Sequence, residues 1–488
     1  MFKVNRLIVI LALGTLQLVN ANELIIEDVT IISSHLDSAK ANQFVRVIND
    51  RIVSVSSEPL SPRSENATRV EGKGKFLTYG LMDSHVHVGS IPGIGFIDSE
   101  KAKQHPELVS AYLEQQPKSF LYYGITQVLN LGASHGKEIF TQDAIHPDFF
   151  SCQPIPVVGG YPDLDAEHTL MHSDFFIIEP RINDSLPASK PPSEHTPQTV
   201  VARIAKTGTN CIKLYFEDGF GAASDWPMLL DKTVASVREE ATKHGLQLIA
   251  HANAIDMYQH ALKHKVDVFA HGLWNWQWPE DKGAPPVAET LDKLMAEKAA
   301  YMPTIQVMQA LKDMFAVELA SQEERALVLP KPLLLWFETA AGRWFKSELE
   351  SDFPDGMDAS EIYTIFEYGY NRALQSTHYL AEANYPLLLA SDFPSSPSYA
   401  AAPGLSTYHE LLNMKKAGMS LKMILDAATI NGPRQFNMAA DYGTIEQGKV
   451  ANLLLLNTNP LTNVEAWQDI ELVILRGSAV ERNSLTVK

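Results

Sequence analysis

The chain has 488 residues, of which 45% are hydrophobic and 20% charged, the balance of a globular protein with room for a large core. Its formal net charge of −18 leaves no Lys/Arg surplus for a phosphate-binding face, so nucleic acid is not an expected partner.

Residues 1–21 read as a secretory signal. Lys3 and Arg6 precede an apolar run too short to span a bilayer, and Val19-Asn20-Ala21 suits cleavage. The expected location is exported, periplasmic or secreted, with no membrane span once the signal is removed. Cys152 and Cys211 could pair in an exported chain or remain buried thiols. A β-rich run at 24–32 follows the signal. A hairpin comes next, with strands 44–48 and 51–55 about the tight turn Asn49-Asp50.

From residue 76 short apolar runs alternate with longer polar, helix-like segments, the pattern of parallel strands covered by helices. The candidate strands are 76–88, 125–132, 155–160, 211–217, 246–252, 266–272, 300–305 and 385–392. Eight such repeats predict an α/β fold, a (β/α)8 TIM barrel, whose chemistry sits at the C-terminal ends of the strands. Residues 161–210, with a Pro-rich stretch at 186–197, read as a surface excursion. Residues 306–384 read as a helical insertion, a candidate lid or homo-oligomer contact. An amphipathic helix at 420–438 is expected to break at Gly432-Pro433, and antiparallel texture then returns. Both chain ends should pair into one small β-sandwich beside the barrel. The expected division is signal 1–21, sandwich 22–75, barrel 76–436 and sandwich 437–488.

The ends of five candidate strands carry six residues of metal-ligand type or convertible to it: His85, His87, Lys213, His251, His271 and Asp392. His85 and His87 are two apart, so a strand points both to one face. Lys213 lies between Ile212 and Leu214. Desolvation there would lower its pKa and free the neutral amine, which reacts with CO2 to give a carbamate able to bridge two cations.

These positions resemble the metal-dependent amidohydrolase superfamily, in its binuclear, imidazolonepropionase- and prolidase-like form. The resemblance runs from about residue 24 to residue 480. It also covers Gly124-Ile125-Thr126, Ala427-Ala428-Thr429-Ile430-Asn431-Gly432 and Gly443-Thr444-Ile445-Glu446-Gln447-Gly448-Lys449-Val450-Ala451-Asn452. It implies two divalent metal ions, Zn2+ first, with manganese, cobalt and iron suited to the same ligands. His85 and His87 would hold one metal with Asp392, His251 and His271 the other, and carboxylated Lys213 would bridge them. Asp392 would serve as the catalytic general base and then acid for a metal-activated hydroxide. The chain departs from the commoner pattern at Asn253, Ala270, Leu129-Asn130 and Ala254, positions that spare the ligands.

His135, Tyr215 and Trp274 are candidate substrate contacts; Trp274, Trp276 and Trp278 form an aromatic loop after His271. The expected reaction is cleavage of an amide-type C–N bond in a small molecule: a dipeptide, an N-acyl amino acid or a cyclic amide. The alternatives are a lactone or ester hydrolase on the same metals, a mononuclear deaminase, for which Ala254 replaces the needed Glu, and a metal-free scaffold. Gly132-Ala133-Ser134-His135-Gly136 also matches a nucleophile elbow, so a serine hydrolase using Ser134 is a further alternative. The i,i+4 pairs His168/His172 and His260/His264 read as solvent-facing.

Overall fold

A computed structural model of the chain describes residues 22–132, 135–181, 186–219, 225–276, 287–316 and 322–488. The expected signal segment, Ser134 and Trp278 lie outside the described residues.

Gly80 divides the molecule. The single strand expected over 76–88 is two strands in different sheets. Phe76–Tyr79 pairs antiparallel with Leu453–Leu456, and Leu81–Val86 pairs parallel with Ile125–Asn130. A Cβ at position 80 would collide with the Thr126 hydroxyl, so glycine is what lets the chain pass between the sheets.

The strand-rich unit is one eight-stranded sheet built from both chain ends. Glu23–Ile31, Lys40–Ile48, Arg51–Ser56, Thr68–Glu71 and Phe76–Tyr79 come from one end; Leu453–Leu456, Ile470–Leu475 and Ser478–Glu481 come from the other. Ile52 N donates to Lys449 O and Gly448 N to Ile52 O, which ties the outer strand back to the segment ahead of Leu453. The two-residue period of a strand then sorts the leucines. Leu453 and Leu455 join Ile26, Val45 and Leu77 in the sheet's own core, while Leu454 and Leu456 belong to the large core of the barrel.

Seven parallel strands form the barrel ladder: Leu81–Val86, Ile125–Asn130, Asp148–Pro154, Cys211–Tyr215, Gln247–His251, Val268–Phe269 and Ala300–Tyr301. Residues 387–393 fill the eighth position. Leu387 bridges Tyr301 on one side, and Phe393 bridges Val86 on the other. Leu388 N donates to Tyr301 O, Ser84 N to Leu389 O and His87 N to Phe393 O, so backbone hydrogen bonds continue across both seams. This is the expected barrel with the third strand displaced. Residues 155–160 are a loop, not a strand. Their apolar side chains are mostly buried at the strand's C-terminal end, while the strand itself carries Asp148, whose carboxylate pairs with Arg476 at 2.8 Å. Cys152 and Cys211 are register partners on adjacent strands, fully buried and joined by a disulfide.

The helix expected over 420–438 does not break at Gly432-Pro433. Leu421–Asp426 continues through a π turn at Ala427–Asn431 into Gly432–Gln435. The wider turn accommodates a proline that has no N–H to donate. The insertion is helical, with Ile305–Asp313, Gln322–Val328, Lys331–Trp336, Trp344–Ser351 and Ala359–Glu382. Its first helix begins at Thr304, which makes no side-chain cap. Buried Glu410 caps it instead, accepting from Ile305 N at 3.1 Å and Gln306 N at 2.7 Å.

One buried carboxylate joins the first strand to the eighth. Asp83 accepts from His85 N and Ser391 N at 3.1 Å each, and from the hydroxyls of Ser391 and Thr407 at 2.6 Å each. Burial pushes its pKa up to about 6 even so. Asp83→Ala would leave these donors without an acceptor and should lower the unfolding free energy by about 3–5 kcal/mol. Thr407→Val, which removes one donor, should cost about 1.5–3 kcal/mol. Urea titrations followed by circular dichroism measure both.

Candidate active site

The six sequence-predicted residues meet at the C-terminal mouth of the barrel. His85 Nδ1 faces the Ala270 carbonyl at 3.1 Å, which places the ring proton there and leaves a lone pair on Nε2. That Nε2 lies 3.1 Å from His87 Nε2 and 2.8 Å from Asp392 Oδ1, and His87 Nε2 is 3.1 Å from the same oxygen. Val86, between the two histidines, turns into the apolar core. Asp392 holds its position with φ at +55°, a left-handed backbone that non-glycine residues seldom adopt and that marks functional sites. His87 is part-exposed and marks the open side.

The second half is built on the fourth, fifth and sixth strands. His251 Nδ1 and His271 Nε2 lie 2.9 Å apart, and His271 Nδ1 is 3.4 Å from Asp392 Oδ2. Asp392 thus faces both histidine pairs with different oxygens. Lys213 is buried in the same mouth, and its Nζ has no hydrogen-bond partner. Burial lowers its pKa to about 7, with Asp392 only partly opposing. Burial also lowers His85 to about 4 and His251 to about 3, and takes His271 well below its usual value. For Asp392, burial alone would raise the pKa, but His85 and His271 outweigh it and hold the carboxyl well below its usual range.

This arrangement fits a metal. Lone pairs of neutral imidazoles and a carboxylate crowd within about 3 Å, where they repel one another unless a proton or cation lies among them. Imidazole and carboxylate are a zinc-type donor set. Burial brings the orphaned Lys213 amine closer to the neutral state that carbamate formation needs, and a buried polar group without a partner is costly to leave so.

Sequence reasoning missed two supporting residues. Asp83 is one, described above. The other is Glu217, whose Oε2 lies 3.2 Å from His251 Nε2. If Nδ1 of His251 is a ligand atom, its ring proton sits on Nε2 and is donated to Glu217. Burial raises the Glu217 pKa to about 8. The signal was an acidic residue ending an apolar strand, but only the fold shows which ring it meets. Asn253 has a different task from a ligand: its side-chain oxygen accepts from Asn275 Nδ2 at 2.6 Å, and its carbonyl receives Trp274 N and Asn275 N.

The substrate candidates divide. Tyr215 and Tyr161 lie with ring centroids 6.0 and 4.6 Å from His251, and Trp226 stacks on Tyr161 at 6.3 Å. Trp274 is 5.8 Å from His271 but also packs with Ile305, Met308 and Tyr370, so it anchors the rim as well. His135 lies against Gly89 and Phe96, 4.0 Å from Asp98. His168 and His172 are exposed, as expected. His260 and His264 are not simply solvent-facing. Their Nε2 atoms lie 2.9 and 2.8 Å from Asp231 Oδ1, and His264 is buried, so the pair clamps two outer helices together. Lys263 occupies the other Asp231 oxygen. Ala254 precedes the helix Ile255–Lys263 and offers no carboxylate for deaminase chemistry.

Residues 401–480 match the family model described as the Amidohydrolase family. No curated protein matches the chain in sequence. Among solved structures it is similar to a Xaa-Pro dipeptidase with methionine bound in its active site, at 17% identity, covering 94% of this chain and 100% of that one with a TM-score of 0.65. It is also similar to a putative prolidase from Bifidobacterium longum (20% identity, 94% of each chain, TM-score 0.62). A third is A. niger ochratoxinase (18% identity, 94% of this chain and 96% of that one, TM-score 0.65). At these identities the likeness is one of fold. The superfamily resemblance read from the sequence agrees with the family match over residues 401–480, and the solved structures share the fold.

The Lys213 amine sets a pH dependence. Its pKa falls from 10.5 to about 7 on folding, so between these values the unfolded chain binds a proton that the folded chain does not. For this group, stability therefore rises with pH across that window. In metal-free protein, Lys213→Met should flatten the rise and increase stability at pH 7, as read by urea unfolding at pH 7 and pH 9.

Proposed function

We propose that the chain is a metal-dependent hydrolase that cleaves amide-type C–N bonds in small molecules and uses two divalent cations, zinc first. The observation that carries this reading is the meeting of His85 Nε2, His87 Nε2 and Asp392 Oδ1 beside the His251–His271 pair, with an unpartnered lysine amine in the same mouth. His85, His87 and Asp392 would hold one cation and His251 and His271 the other. Carboxylated Lys213 would reach both. When bound, such cations acidify a water and polarise a carbonyl.

The protein's own groups do the rest. Asp392 stays ionised, so a carboxylate oxygen can take a proton from the attacking water and return it to the leaving nitrogen. Glu217 fixes the tautomer and tilt of His251. Tyr161, Tyr215 and Trp226 wall the His251 side with rings, which suits an apolar or planar group next to the scissile bond. Dipeptides and N-acyl amino acids are the first substrate classes proposed, in keeping with the dipeptidase and prolidase among the similar structures, and cyclic amides come next. We place the protein outside the cytoplasm: the disulfide between Cys152 and Cys211 agrees with the export expected from residues 1–21.

Metal analysis of the purified protein should find two equivalents of transition metal. A panel of dipeptides, including Xaa-Pro, N-acyl amino acids, cyclic amides and lactones should single out an amide. Less than one equivalent of metal, with no hydrolysis after reconstitution, would overturn the proposal. Asp392→Asn should lower kcat by about 10²–10⁴-fold. Glu217→Gln should weaken metal binding by about 10–100-fold in chelator competition. Lys213→Ala should not retain both metals.

A further inference from the structure

We propose that the cavity between the helical insertion and the loop after Asp392 is a binding site for a small anion carrying a carboxylate or phosphate group, anchored by Arg325. The cavity measures about 390 Å³, and its walls include Arg325, Arg343, Lys346, Phe337, Tyr399 and Met314.

Arg325 is 5% exposed and has no carboxylate within ion-pair distance among the described residues. One arm of its guanidinium donates to the Tyr399 carbonyl, and its Nε is buried without any partner. Its guanidinium also lies 5.5 Å from the centre of the Phe337 ring. A buried guanidinium left in this state is uncommon, because burying a charge is costly unless it is paired. The planar fork suits two-pronged contact with a carboxylate or phosphate.

Two further cations face the same space. Arg343 lies over the Tyr399 ring at 5.6 Å and donates its Nε to the Phe337 carbonyl. Lys346 has its nearest carboxylate, Glu350, 3.9 Å away. Asp313 and Glu338 also line the cavity. Burial raises the Asp313 carboxyl above its ordinary value, and Glu338 is exposed, while Arg325 is the deeply buried charge among the described lining residues. Phe337 and Tyr399 would flank the apolar part of the ligand.

The cavity is distinct from the His/Asp mouth but shares loops with it. Tyr399 is on the loop that follows Asp392. Trp336 and Trp344 donate their indole N–H groups to the Gly93 carbonyl, at 3.2 and 3.1 Å, on the loop that follows His87. An anion on Arg325 would therefore brace both loops.

Isothermal titration of the full-length protein with inorganic phosphate and, separately, with succinate tests the site and separates the two chemistries. Saturable binding of at least one anion is expected, weakened by about tenfold or more in Arg325→Met, which loses the charge-assisted contact. Arg343→Ala, at an exposed position, should weaken it less. Absence of saturable binding by both anions would overturn the proposal. So would binding that is undiminished in the variants, since an anion held by the metal-type residues would ignore them. If Arg325→Met does not fold, the Arg343→Ala/Lys346→Ala double variant decides by the same criterion.

Discussion

The barrel is held shut by a carboxylate that meets no water. Asp83 receives four hydrogen bonds at the one place where chain order cannot help, the seam between the first and last strands. The eighth position is joined to its neighbours by isolated bridges and a few backbone hydrogen bonds, and the side-chain bonds of Asp83 add to what fixes its register. Register here is chemistry. His85 donates its own backbone N–H to Asp83, and Ser391, which precedes Asp392, gives both its N–H and its hydroxyl. The distance of 2.8 Å between His85 Nε2 and Asp392 Oδ1 is therefore set from behind the strands as much as from the mouth.

The mouth is tuned by the same exclusion of water. Burial makes the imidazoles poor bases and the Lys213 amine a weak one, while the Asp392 carboxyl lies well below its usual range. Neutral lone pairs and one anion are what a cation prefers to meet. The second tier follows the same logic: Ala270 O and Glu217 each occupy the ring nitrogen that faces away from the centre. His85 and His251 are thereby each left with one usable nitrogen, pointing inward.

Sequence period alone located His85, His87, His251, His271 and Asp392, because each ends an apolar run at the point where a strand leaves the core. The same rule misplaced the third strand. Residues 155–160 are as apolar as a strand because they are mostly buried in a loop, and the true strand opens on Asp148, whose charge is answered by Arg476 far along the chain. Gly80 was equally silent, since its reason is a neighbour on another strand. Asp83, Glu217 and the Asp231 clamp share this property. Each is a charged residue whose meaning depends on a partner distant in sequence, and a single chain carries no mark of such pairs. The pairing of Cys152 with Cys211 was left open for the same reason and follows from strand adjacency.

The interlocking of the two chain ends bears on the order in which the protein can form. Residues 76–79 pair with 453–456, and only Gly80 separates them from the first barrel strand. Loop closure over so long a stretch is entropically late, and such topologies fold slowly. A nascent chain that has not yet delivered residues 453–456 keeps an open edge at Phe76–Tyr79, with Leu77 lacking the core it will share with Leu453 and Leu455. Completion of the strand-rich sheet during synthesis thus waits for residues 453–456, and until they arrive the exposed edge is where a holding chaperone would be needed.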